Sequence, residues 1–160
     1  MKKEILKFYK NHFLEFGYKK SGEYFIKDTG SSILTFKYTG SRFMDGFHLD
    51  IYVTMKFEDL PLKDVIKDES WLFETRYERI IRNKVPDPTH LLELEGGNEN
   101  LHFHLNKSWD NIKFIIIPEL EKLGTFDYLR ANYPDNFDHQ TWWLVGISKM
   151  KLIELLQPSN

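Results

Sequence analysis

The chain contains no cysteine, which excludes disulfide cross-links, thiolate zinc sites and cysteine nucleophiles. Long apolar runs are missing as well. Charged residues interrupt every hydrophobic stretch near the start, so no secretory leader is expected. No run approaches the roughly 20 apolar residues that a membrane helix needs. Charge of one sign is also lacking: a net charge of −2 over 160 residues gives no general attraction to nucleic acid or to an anionic membrane. The lysines that crowd the opening (Lys2, Lys3, Lys7, Lys10, Lys19 and Lys20, against Glu4 and Glu15) read as the solvated side of a helix. There is no phosphate-binding glycine loop, nucleophile elbow or His-Glu-x-x-His zinc helix. Gly96-Gly97 lacks the Lys-Ser/Thr that a phosphate loop requires, so it reads as turn chemistry. These absences point to a cytoplasmic protein that binds neither nucleic acid nor membrane.

What is present describes a globular chain, read as one α+β domain over residues 1–160. Hydrophobic residues make up 41% and charged residues 29%, enough to build a core and too balanced for large-scale disorder. Thirteen Phe and eight Tyr favour strands and bury much area each, so a sheet-based core is expected.

Ile5, Leu6, Tyr9, Phe13 and Phe16 recur at helical spacing, with Gly17 as a stop, predicting a helix over 2–16. EYFIKD and SSILTFKYTG predict two strands in a hairpin through Thr29-Gly30. In FHLDIYVTMKF, Phe47, Leu49, Ile51, Val53, Met55 and Phe57 alternate with polar residues and Tyr52, which predicts a strand with one buried face. WLFETRYERII alternates similarly and is taken as a strand, with a helix as the other option. The prolines of VPDPTH break the chain.

LLELE, GGNEN and LHFHL predict a further hairpin. SWDNIKFIIIPELEKLG predicts a helix from near Ser108, kinked or restarted at Pro118 and ended at Gly124. A short helix follows with Thr125 as N-cap. QTWWLVGISKMKLIELLQ is expected to be a final helix; the alternative is a short Trp-Trp strand followed by a helix capped at Ser148. One helix, then strands, then helices implies an antiparallel meander of about five to six strands with C-terminal helices packed on the sheet.

The opening helix, the Phe16-Gly17-Tyr18-Lys19-Lys20-Ser21-Gly22 passage into paired strands, and the long alternating strand resemble the bacterial family designated domain of unknown function 4304. Thr75-Arg76, Leu92-Glu93-Leu94 and IPELEKLGTFDYL are similar to that family's later part, and the likeness spans residues 1–135. A Trp pair frequent in the family has no counterpart near His90–Leu92. The resemblance implies a fold and no established activity. At the level of class, chains of this size and type also look similar to immunity proteins that neutralise secreted bacterial toxins.

Candidate chemistry is sparse. In the predicted hairpin His102 and His104 share a strand face, and a register that buries the leucines sets Glu93 and Glu95 opposite them. Two imidazoles and two carboxylates suit zinc or iron in type, although cross-strand Glu–His pairing explains the pattern without metal. His48 and Asp50 also share a face, but a His–Asp dyad needs a pocket and a nucleophile to act as a base. Arg76 and Arg79 are candidates for binding an acidic partner. Trp142 and Trp143 are candidate interface anchors, and the apolar C-terminal segment could form a homodimer. The expectation is a non-enzymatic binding protein, plausible as an immunity protein contacting a toxin, with no cofactor implied. The alternative is a metal-dependent enzyme using the His/Glu cluster of the 91–105 hairpin.

Overall fold

The computed structural model describes residues 2–40, 47–58, 64–66, 69–82, 84 and 100–158. Helix α1 (Lys2–Glu15) buries Ile5, Tyr9 and Phe13, a stripe at spacing four that sets one side of the helix against the sheet. It stops where expected. Gly17 takes φ +84, a left-handed conformation that glycine adopts without a side-chain clash.

Six strands follow in the order β1-β2-β3-β4-β5-β6, each antiparallel to its sequence neighbours. The architecture is therefore the α+β meander that the order of elements implied. β1 (Lys19–Ser21) and β2 (Tyr24–Asp28) turn through Gly22 at φ +58. Between β2 and β3 (Ser32–Gly40), the Gly30 N–H donates to Asp28 Oδ1 at 2.8 Å, which is the predicted Thr29-Gly30 hairpin. β3 pairs along its whole length with β4 (Phe47–Met55), placing Leu34 opposite Val53, Phe36 opposite Ile51 and Tyr38 opposite Leu49. These six side chains are all 5% exposed or less and form the floor of the main core.

The other face of β4 is not simply wet, as the alternation had suggested. Tyr52 and Thr54 are buried, and Ile26, Ile33, Tyr52, Val65 and Trp71 make a second, smaller cluster. The cause is a chain crossing: the helical turn at 64–66 and the run into Trp71 cover that end of the sheet. Tyr52 and Trp71 stack with ring centroids 4.5 Å apart.

The WLFETRYERII segment is a strand only in part. β5 (Phe73–Arg76) ends as α2 (Tyr77–Arg82) begins. Tyr77, Ile80 and Ile81 are buried, and that spacing of three and four is helical.

LHFHL is not a strand. Leu101–Asn111 is helix α3, so the helix expected near Ser108 starts earlier and the predicted hairpin loses its second strand. Leu101, Leu105, Ser108 and Trp109 form its buried side while Phe103 is 62% exposed. Burial at spacing four overrode a five-residue alternation. Trp109 wedges against α1, its ring 5.1 Å from Phe13 and 5.4 Å from Phe16, and Tyr9 Oη lies 2.7 Å from Ser108 Oγ.

Pro118 has no N–H and cannot continue an α-helical ladder. The helix accommodates it through a π turn, Ile112–Ile116, after which the Ile117 N–H reaches back to the Ile112 carbonyl. Helix α4 (Ile117–Leu123) then runs to Gly124. This glycine is required for space: a Cβ there would meet Ser32 Oγ at 2.3 Å. Thr125 caps α5 (Phe126–Asn132) by accepting the Tyr128 N–H at 3.3 Å.

The final segment is not a single helix. β6 (Trp143–Leu144) adds to β5, and α6 (Lys149–Leu156) is capped by Ser148, which accepts the Lys151 N–H at 3.1 Å. Leu152 and Leu156 of α6 enter the main core, and Arg130 Nε donates to the Leu156 carbonyl at 3.1 Å.

Candidate functional site

The histidine cluster does not assemble as the sequence implied. On helix α3, residues two apart diverge by about 200° around the axis, so His102 and His104 do not share a face. His102 turns to α1, with Nε2 3.1 Å from Glu4 Oε1, and it is 72% exposed at the side chain. Glu93 and Glu95 lie outside the described residues. Among the described residues no group of three or more His, Asp or Glu side chains is arranged to hold a metal ion.

The predicted partner-binding residues do converge, with one exception. Strand register turns Asp50, Glu74 and Arg76 to the sheet face opposite α1 and α3, and Asp50 stands directly across from Arg76. Arg76 Nε contacts Asp50 Oδ1 at 3.2 Å, and Thr39 Oγ1 donates to Asp50 Oδ2 at 2.9 Å. Asp50 is therefore engaged by Arg76 and Thr39. No His48–Asp50 dyad forms: His48 Nδ1 points instead to Glu78 Oε1 at 3.6 Å, from the first turn of α2.

Arg79, one residue further along α2, reaches the sheet edge. Its guanidinium lies 3.3 Å from the centroid of the Trp143 ring, and Nη1 donates to the Gln140 carbonyl at 3.4 Å. Trp143 stands opposite Glu74 on the outermost strand and remains 41% exposed. Trp142 is the exception. It is 6% exposed and belongs to the main core, because β6 alternates its side chains and only one of two adjacent tryptophans can face out.

The edge thus presents an ordered set of opposite charges around one aromatic plate. Tyr52, beneath it, has its pKa raised, first by burial and then by the carboxylates of Asp50 and Glu74, so it stays a neutral phenol at physiological pH. Among the described residues no nucleophile–base pair is in place here: Asp50 is held by Arg76 and Thr39, and His48 Nδ1 is buried without a hydrogen-bond partner. Sequence spacing identified Arg76, Arg79 and Trp143 singly, but their association depends on β6 returning to β5, which no local window contains.

Among the described residues no helix is long and apolar enough to cross a membrane. Compared with family models, curated proteins and solved structures, the chain matches none.

Proposed function

We propose that the chain is a non-enzymatic protein-binding module, acting as an immunity protein that occludes a toxin, and that its partner seats on Arg79 and Trp143 with Arg76 beside them. The observation that carries this reading is the Arg79–Trp143 stack at an exposed sheet edge. Trp and Arg are the residue types that most often dominate binding energy at interfaces. Stacking already fixes both side chains, which lowers the ordering cost a partner must overcome. Arg76 and Arg79 supply donors for carboxylates, while Asp50, Glu74 and Glu78 fix the register of an opposing charge pattern. Inhibition follows by steric coverage and needs no reaction.

The test is site-specific photo-crosslinking in the source cells, with benzoylphenylalanine placed at Gln140, beside the intact Arg79–Trp143 stack, or, as a control on the helical layer, at Phe103. One protein should be captured from position 140 and not from Phe103, and Arg79→Ala should reduce its affinity at least tenfold. The toxin form of the reading adds that co-expression protects cells from the captured protein. Equal capture from both positions would remove the surface from consideration.

A further inference from the structure

A groove of about 540 Å³ opens between the 69–72 and 145–147 segments, beyond the Arg79–Trp143 stack. That is the size of a small-molecule site. Met55, Phe57, Val145 and Ile147 give it an apolar lining. The charged side chains among its described lining residues are two carboxylates, Glu69 and Glu74. Neither has a basic partner within ion-pair distance among the described residues; Glu69 has one long contact, 3.4 Å from the Tyr24 hydroxyl. Negative charge beside apolar surface attracts a ligand that carries both an apolar body and a positive charge.

The walls are fixed. Val145 N–H donates to the Leu72 carbonyl at 2.9 Å, and Leu72 N–H donates to the Val53 carbonyl at 3.0 Å. Glu69 holds φ +48, an uncommon backbone state for a residue with a side chain. The Trp71 N–H bond to its carbonyl, at 2.8 Å, secures the adjacent turn. The backbone that carries this carboxylate is therefore set before any ligand arrives. Both glutamates also act on buried Tyr52, whose pKa they help to raise after burial and Asp50.

We infer that this groove is a binding site for a small apolar amine, its alkyl or aryl body lying against Phe57, Val145 and Ile147 and its ammonium against Glu69 and Glu74. The groove adjoins the protein-docking edge at Glu74, but amine binding there does not depend on the docking reading.

The experiment titrates the full ¹⁵N-labelled chain at neutral pH and low salt with 3-phenylpropylamine, 3-phenylpropionate and 3-phenylpropanol, three probes of one shape and different charge. The amine should bind at least about tenfold more tightly than the carboxylate, with shifts centred on Leu72, Val145 and Gly146. A Glu69→Gln/Glu74→Gln variant, checked for an unchanged melting curve, should lose that preference while still binding the alcohol as the native chain does. Arg79→Ala should leave amine binding intact, which separates this site from the docking edge. Equal affinity for amine and carboxylate, a preference that survives in the double variant, shifts centred elsewhere, or no amine binding would each overturn the assignment.

Discussion

Gly146→Ala is the sharpest perturbation the fold allows. Gly146 does not occupy the left-handed region, so its role is not one of backbone freedom. It lies so close to the segment leading into β5 that an added Cβ would clash with the Trp71 carbonyl oxygen and sit 3.1 Å from its carbonyl carbon, well inside ordinary contact. Ordinary contact begins near 3.4 Å, so the two segments must separate by more than about 1 Å, a shift that overpacked cores resist at a cost of roughly 1–3 kcal/mol. The carbonyl cannot swing aside cheaply, because the next residue, Leu72, is bonded on one side to Val53 and on the other to Val145 and Gly146. Losing one such bond adds about 1 kcal/mol. A total of about 2–4 kcal/mol corresponds to a fall in Tm of roughly 5–15 °C for a chain of this length. Thermal melts followed by circular dichroism, with urea titration, measure both quantities. Gly22→Ala is the control: nothing lies within 4 Å of its Cβ, but φ is +58, so only conformational strain of about 1–2 kcal/mol applies. A Gly146→Ala melting point within 2 °C of the native chain, or a larger loss for Gly22→Ala, would refute the close-approach argument.

Three further outcomes are expected. Phe13→Ala removes a ring stacked on Phe25 and tilted against Phe36, each 4.7 Å away, and should cost about 3–5 kcal/mol by urea unfolding. Thr75→Val should raise stability by about 1 kcal/mol in the same assay, because Thr75 is 0% exposed and its hydroxyl has no hydrogen-bond partner among the described residues. Asp28 has its pKa lowered by the Gly30 N–H first and by Lys56 second, against a smaller opposing effect of burial. Its contribution is therefore fully present above the unfolded value near 4 and is lost as pH falls through the lower folded value. Lys56→Met should make stability fall less steeply between about pH 4 and pH 2, as followed by urea midpoints.

Much of the fold was readable from short stretches. Period two over Phe47–Met55, spacing four through Ile5, Tyr9 and Phe13, and the local signals of Gly17, Gly30, Thr125 and Ser148 each specify an element within a few residues of themselves. They suffice because backbone geometry and side-chain period act within one turn or one pleat. LHFHL fails that test: Leu101 and Leu105 satisfy a strand with Phe103 or a helix with Trp109, and five residues cannot separate the two periods. Burial of Trp109 against Phe13 and Phe16 decided for the helix, and with it dissolved the face on which a His/Glu site had been imagined. The same holds for the tryptophans: composition marks both as anchors, but only the return of β6 to β5 buries Trp142 and brings Trp143 beneath Arg79. The sequence by itself determined which segments are amphipathic and where they stop. Tertiary structure decided which ambiguous segments became helix and which side chains face water, because those choices follow from the apolar area that distant elements remove together from solvent.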